Sequence, residues 1–373
     1  MQTGREHQNL RVLFLADGLA PFVLGGMQQH STQLVKHLAP LVERITLMHC
    51  GPLNGEVPPL NEVLAELGNQ DNIDVIGLPF RDDGFLPGHY IRASLRLSRA
   101  FCEAIGDRLS SYDAVYAQGL MGDAFLDKHP KVLVNLHGLN MFQQSFSLAD
   151  KFPKLFLQPV FRKQVKKAWR NISLGGKLSD ILKNEGAHKD SIVEIPNGIE
   201  SSWILTEEER KARYEKRKNG KLRFVMIGRN DFVKGLHVLK AAMNLLKRPI
   251  ELHMIGDWPE WDTGIHYVIH HGVIRDRQKL MATLDECDVL LLPSLSEGMP
   301  TVVLEAKARG LQVIGTNVGA MSALNEVLIE AGDVEKLADA ISQASIFGYS
   351  SWLNQNHRWS KIAETTRDNL AKV

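Results

Sequence analysis

The chain has 373 residues, enough for two domains, since a single hydrophobic core rarely grows beyond ~250–300 residues. Hydrophobic residues make up 44% and charged residues 23%, which excludes a disordered, collagen-like or fibrous chain. Lysine and arginine number 44 against 43 aspartate and glutamate, so no overall positive excess marks a nucleic-acid-binding protein.

The polar start MQTGREHQNL leads into an apolar run of about five residues, too short for a secretory signal. No segment approaches the ~20 apolar residues that cross a bilayer. Residues 10–15 read as a buried strand, followed by a loop ending in Gly25-Gly26 and a helix with Leu34, Val35 and Leu38 on one face. Further buried strands are expected at 44–49, 75–78, 114–116, 132–136 and 192–195, with helical patterns between most of them. Residues 151–170 hold seven Lys or Arg and no acid. Phe161, Val165, Ala168 and Trp169 fall on one helical face there, with Arg162, Lys163, Lys166, Lys167 and Arg170 largely elsewhere. The segment reads as a core-facing helix with a solvated basic side, and the same pattern also suits peripheral contact with anionic lipid headgroups.

Pro196-Asn197-Gly198 signals a turn, and the charged stretch TEEERKARYEKRKNGK that follows has little to bury. A domain boundary is therefore expected near 197–221, with a solvated helix leading into the second domain. The opening pattern then returns: a strand at 222–227, Gly228-Arg229, a short loop and a helix from about Gly235. Strands follow at 252–255, 289–292 and 313–315. This alternation predicts two doubly wound α/β domains in tandem, 1–196 and 197–355, before a last helix at 356–373. Open sheets of this kind bind ligands beyond the carboxyl ends of their strands. Cys50, Cys102 and Cys287 are too widely spaced for a metal clip or a disulfide framework, which points to reduced thiols and a cytoplasmic location.

The segment 290–320, LLLPSLSEGMPTVVLEAKARGLQVIGTNVGA, is the most informative. A strand ends at Pro293, a loop carries Glu297-Gly298-Met299-Pro300, and a helix follows with Glu305 on it. Amides at Gly298 and Met299, near a helix N-terminus, suit anionic or hydroxyl-rich groups. One carboxylate is placed to bind a sugar and the other a group further along. Arg229 and Lys234 make sense as a diphosphate clamp: a guanidinium gives a planar fork of donors and an ammonium a mobile point charge. Gly26 lets backbone approach phosphates where a Cβ would intrude. No D-x-D metal motif occurs, and His266, His270 and His271 lack partners at metal-ligand spacing.

The 290–320 segment closely resembles the E-x7-E signature of retaining glycosyltransferases of family 4, which have the GT-B fold. Gly228-Arg229 with Lys234-Gly235 resembles that family's G-R-x4-K-G element, and Pro196-Asn197-Gly198-Ile199 its hinge. Gly25-Gly26 matches the first glycine loop and His137-Gly138 the histidine at the end of a strand of the first domain. Gly332-Asp333 and Trp359-Ser360-Lys361-Ile362-Ala363 also fit, so the resemblance covers almost the whole chain. It implies two Rossmann-like domains facing a central cleft, with the last helix returning to the first domain. Glu305 is then expected on the ribose hydroxyls, and Glu297 with the Gly298 and Met299 amides on the donor sugar. Ile274 falls where backbone meets the base, and His137 beside the reacting face of the sugar.

The implied reaction is metal-independent transfer of a sugar, with retention, from a nucleotide-diphosphate sugar to a hydroxyl of a glycan or lipid-linked acceptor. No cofactor is expected beyond that co-substrate. A UDP-sugar is favoured over a GDP-sugar by family frequency alone. The implied setting is surface polysaccharide synthesis in the cytoplasm, at the inner face of the membrane. The acceptor is expected to enter past loops 81–90 and 140–147. Two departures stand out. Gly256-Asp257-Trp258-Pro259 stands where many relatives carry a second glycine, and Gln118 replaces a common histidine. A nicotinamide dehydrogenase would need G-x-G-x-x-G after a strand, which neither first-strand loop supplies. A non-catalytic scaffold of the same fold is the alternative of a different class.

Overall fold

The computed structural model describes residues 9–82, 84, 88–324, 327–345 and 355–372. Positions 83 and 85–87 of the expected acceptor loop, and residue 373 of the last helix, lie outside the described residues. The chain forms two compact units: Met1–Gly198 with Asn356–Val373, and Ile199–Gln355.

The first unit is built on a seven-stranded sheet. Its strands are β1 (Arg11–Leu15), β2 (Arg44–Cys50), β3 (Ile73–Leu78), β4 (Ala114–Gln118), β5 (Val132–Asn135), β6 (Arg170–Ser173) and β7 (Ile192–Glu194). They lie in the order β3-β2-β1-β4-β5-β6-β7, with every pair parallel. Helices wrap such sheets on both faces, which is why the central strands are continuous apolar runs. Val12 through Leu15 are wholly buried, and the Phe14 ring stacks on Tyr116 of the neighbouring strand at 4.6 Å. Helix Gly26–Leu38 buries Leu34, Val35 and Leu38, and helix Trp359–Ala371 packs against it.

The second unit repeats the plan with β8 (Arg223–Ile227), β9 (Glu251–Ile255), β10 (Tyr267–Gly272), β11 (Val289–Leu292), β12 (Gln312–Thr316) and β13 (Val327–Ile329). Its order is β10-β9-β8-β11-β12-β13, again all parallel. Both sheets reverse their order between the first and fourth strands, and a doubly wound fold opens its ligand crevice at that point.

The structure corrects two readings of the basic segments. Helix Leu148–Lys167 ends before Trp169 and Arg170, and Arg170 begins β6 in register with Leu133. RNIS has one large apolar side chain, so only its pairing with β5 makes it a strand. The basic side is also less free than its sequence implies. Arg162 donates to Glu185 at 2.7 Å, Lys163 to Asp123 at 2.9 Å and Lys167 to Asp127 at 2.7 Å. Helix Glu207–Arg217, expected to be solvated, starts with a Thr206/Glu209 capping box. Its last turn is anchored, because Arg217 pairs with Asp288 at 2.7 Å and both side chains are buried. Arg213 reaches the carbonyl of Cys287.

Candidate functional site

In the first unit the expected residues gather at the carboxyl ends of β1, β4 and β5. Helix Gly26–Leu38 begins at Gly26, and among the described residues no atom beyond its chain neighbours and its own helix backbone comes within 4 Å of a Cβ built there. Among the described residues nothing excludes a side chain at Gly26, so a glycine requirement would have to come from outside them, as from a ligand. Gly25 and Gly26 are exposed. His137 follows β5 with φ +56, a conformation that L side chains rarely adopt. Its Nε2 meets Oε1 of Gln118 at the end of β4. Burial first, then His30 nearby, holds His137 well below the usual histidine range, so its ring is neutral at physiological pH. Sequence reasoning missed Asp17, two residues beyond β1. Burial raises its carboxyl to about 6 despite hydrogen bonds from its backbone and from Gln28, and its Oδ1 has no partner among the described residues. A lone acid ending an apolar run was the available signal.

In the second unit the residues gather beyond β8 and β11, the strands that flank the order reversal. Lys234 and Glu297 meet: Nζ donates to Oε1 at 2.7 Å, and Ser294 Oγ donates to the same oxygen at 2.7 Å. Glu297 is 8% exposed and the Lys234 side chain 22%, so the pair is partly shielded from water. The lysine holds its place because Gly235 follows at φ +74, and a Cβ there would lie 2.0 Å from the carbonyl oxygen of Pro293. The Glu297-Gly298 loop is braced from beneath. The Ala320 amide donates to Gly298 O at 2.8 Å, and Gly319, at φ +53, would bring a Cβ within 2.4 Å of both loop carbonyls. Neither Ser294 nor Gly319 was singled out from sequence, because each acts through a loop brought to it by the sheet.

Gly298 and Met299 precede helix Thr301–Ala308, which carries Glu305. The Glu305 carboxylate has no hydrogen-bond partner among the described residues, and burial raises it to about 7, with Arg277 opposing and Glu200 adding. Arg229 is exposed beyond β8 and its guanidinium has no partner among the described residues. Ile274, half-buried, lies in the loop after β10. Trp258 is buried with its indole donating to Ile255 O at 3.0 Å, so the Gly256-Asp257-Trp258 departure is a packed loop. Among the described residues no group of three or more His, Cys, Asp or Glu is placed to hold a metal ion. One carboxylate, two cations and a loop before a helix N-terminus at the carboxyl edge of a sheet suit a ligand carrying both phosphates and hydroxyls.

Residues 221–345 match the sequence model of the family Glycosyl transferases group 1. That span carries Arg229, Lys234, Ile274, Glu297 and Glu305. The chain is also similar to the putative teichuronic acid biosynthesis glycosyltransferase TuaC of Bacillus subtilis (strain 168). The two are 32% identical over 198 residues, which is 49% of each chain. The chain thus spans about half the length of this curated relative. Among solved structures it is similar to sucrose-phosphate synthase from Thermosynechococcus elongatus, with TM-score 0.68, 16% identity and coverage of 97% of this chain and 94% of that one. Anabaena Alr3699/HepE in complex with UDP and glucose gives TM-score 0.56 at 14% identity, with coverage of 97% and 95%. Likeness at these identities shows the fold, the pair of Rossmann-like parallel sheets expected for the GT-B class.

Proposed function

We propose that the protein is a retaining glycosyltransferase of family 4 that transfers a sugar from a nucleotide-diphosphate sugar to a hydroxyl of a glycan or lipid-linked acceptor. The observation that carries this reading is the Lys234–Glu297 pair beside the Gly298 and Met299 amides, with Arg229 on the adjoining loop. In the reaction the bond from the sugar's anomeric carbon to the diphosphate breaks. A bond from that carbon to the acceptor oxygen forms on the same face, and the acceptor's proton passes to the departing phosphate. Negative charge grows on the diphosphate as the first bond lengthens, and preorganised cations at Arg229 and Lys234 stabilise it. These cations do the work that a divalent metal does elsewhere, so activity persists in EDTA. Lys234 has three N–H donors, of which Glu297 takes one, leaving others for phosphate oxygens. Glu297 then accepts from the sugar's hydroxyls and Glu305 from the ribose. Neutral His137 then keeps the role beside the reacting face of the sugar that the family resemblance implies. The solved HepE complex with UDP and glucose supports a uridine donor, and the likeness to TuaC, named for teichuronic acid biosynthesis, supports a role in polysaccharide synthesis.

The test is donor hydrolysis and thermal stabilisation across UDP-, GDP- and ADP-sugars in EDTA, with Glu305→Ala beside the parent. One sugar nucleotide is expected to stabilise the parent and be slowly hydrolysed, with both effects lost in the variant. Stabilisation without turnover of any donor, with or without a glycan acceptor, would point to the non-catalytic scaffold.

Glu305 also predicts a pH dependence. Its folded value of about 7 lies above the ordinary 4.5, so the folded protein keeps a proton that the unfolded chain releases between those values. Stability contributed by this group is therefore full below pH 4.5 and is lost as pH rises to about 7. Glu305→Gln is expected to match the parent at acid pH and to exceed it by about 1–3 kcal/mol at pH 8 in urea unfolding. Equal stabilities at pH 8 would contradict this.

The membrane reading of 151–170 narrows to an apolar stripe. Phe152, Leu155 and Phe156 share a face at i, i+3 and i+4 and are 61%, 49% and 67% exposed. Lys151 and Lys166 are exposed on the same helix. We propose that this stripe inserts among anionic lipids, where the acceptor's lipid is held. Among the described residues no helix is long and apolar enough to cross a membrane. The parent should co-sediment with phosphatidylglycerol vesicles, and Phe152→Ser/Leu155→Ser/Phe156→Ser should not. Failure of the parent to bind ends the proposal.

A further inference from the structure

The first unit holds a continuous line of buried hydrogen bonds between His137 and the points where the chain crosses to the second unit. The amide of His137 donates to Asn135 Oδ1 at 3.0 Å, and Asn135 Nδ2 donates to the Tyr116 hydroxyl at 3.2 Å. The Tyr116 hydroxyl lies 3.2 Å from His30 Nε2, and His30 Nδ1 lies 3.0 Å from Asn197 Oδ1. His357 Nδ1 then donates to the backbone carbonyl of Asn197 at 3.0 Å. Asn197 is the last residue but one before the chain leaves the unit at Gly198, and His357 is the second after it returns at Asn356.

The protons on this line have one consistent arrangement. The Tyr116 oxygen already accepts from Asn135, so its single proton goes to His30 Nε2. His30 must then carry its own proton on Nδ1, where it donates to Asn197 Oδ1. The four donors from the His137 amide to His30 thus point toward Asn197, which also accepts from His357 on the other side of the crossing. Burial holds His30 neutral, with its titration lowered to about 4, which keeps this tautomer in place through the physiological range. Tyr116 and Asn135 are 0% exposed and His30 is 3%, so water has no easy entry to replace a lost partner. The His30 ring also meets the His137 and Trp359 rings edge-on, each at 5.2 Å.

The line ends on a strained loop. His137 and Leu139 have φ +56 and +49, values that persist in non-glycine residues only where the surroundings over-determine them. The anchored His137 amide is such a determinant. We propose that Tyr116 and His30 are positioning residues that tie the conformation of the His137 loop to both crossing points of the chain. A shift of Asn197 or His357 then reaches His137 as a change in the same hydrogen-bonded unit. The structural coupling stands on these bonds alone, and its effect on turnover rests on the role of His137 in the transfer proposed above.

Two variants test it without removing a residue that touches donor or acceptor. Tyr116→Phe deletes one hydroxyl and keeps the ring stacked on Phe14, and Asn197→Ala frees the crossing segment. Deuterium exchange over 135–140 is read in each, with helix Val334–Gln343 of the second unit as an internal reference. Exchange at the His137 amide is expected to rise about tenfold in both variants while the reference stays at the parent rate. With the donor found in the panel, kcat should fall about tenfold while KM stays within about twofold. The double variant should be no worse than the poorer single, because both break one line. Unchanged exchange at 135–140 in a folded Asn197→Ala protein overturns the proposal. Raised exchange in the two variants of a parent that turns over no donor upholds the coupling and removes the glycosyltransferase reading instead.

Discussion

Lys234→Met is expected to lower kcat by about 10²–10³-fold with the fold intact, the largest loss of activity among the substitutions considered. The reason lies in what the ammonium faces. Its Nζ is fixed 2.7 Å from Glu297, so it needs no reorganisation when charge develops on a diphosphate held by its remaining protons. Removing it takes away that preorganised charge and leaves a largely buried carboxylate with Ser294 as its remaining donor within that pair of contacts. Lys234→Arg should recover only part of the loss, since a planar fork cannot occupy the position of a point charge against Glu297. Glu297→Gln should lower kcat too, and the double variant should fall well short of the product of the singles, because the two side chains act as a unit. Steady-state kcat and KM with the identified donor decide this, with thermal melting as the control for folding. A Lys234→Met enzyme within threefold of the parent would show that the clamp is elsewhere.

Asp288→Ala is expected to destabilise the second unit by about 3–5 kcal/mol, the largest stability effect. Asp288 makes a bidentate pair with Arg217, at 3.1 Å to Nε and 2.7 Å to Nη2, and also accepts from the Arg223 amide at 2.9 Å. The side chains are 3% and 8% exposed. Truncating the acid strands a buried guanidinium and an amide at the start of β8 together. Arg217→Met should cost less, because it removes the cation and leaves Asp288 with the Arg223 amide. Arg217→Met/Asp288→Leu should recover part of the loss of Asp288→Ala, with the orphaned amide holding back about 1–3 kcal/mol. Denaturant titration followed by a probe in the second unit measures the series. A cost below about 1 kcal/mol for Asp288→Ala would mean that water reaches the pair in the folded state.

The ordering of the three corresponds to a general asymmetry. Losing one partner of a buried pair leaves an uncompensated charge, whereas losing both leaves apolar packing. The same reasoning separates the ion pairs of helix Leu148–Lys167, whose lysines are 44% exposed and whose removal should change stability little.

Much of this molecule is written in local pattern. Buried parallel strands are contiguous apolar runs, so β1, β2, β8 and β11 are visible as such, and the glycine loops that follow two of them place the ligand ends of both sheets. The Glu297–Glu305 loop and helix are equally local, since Pro300 and the periodicity of TVVLEAKA define where the helix begins. Strand β6, in contrast, is polar, and β13 has only three residues, VLI. They exist because a neighbouring strand presents unpaired amides and carbonyls to them, which no window of sequence contains. The solvated helix expected within 197–221 forms, and its one buried residue was missed for a related reason: the acid that pairs with Arg217 lies 71 positions away.

The sequence by itself determined the two doubly wound sheets, the residue types at their carboxyl ends and the order of the loops that carry them. These follow from backbone preferences and hydrophobic periodicity, which act over a few residues. Only the tertiary structure decided which side chains meet. Lys234 and Glu297 are 63 positions apart, and His30 and Asn197 are 167 apart. Strand order brings them within hydrogen-bond reach, and burial then sets whether a carboxyl such as Glu305 or a ring such as His30 holds its proton.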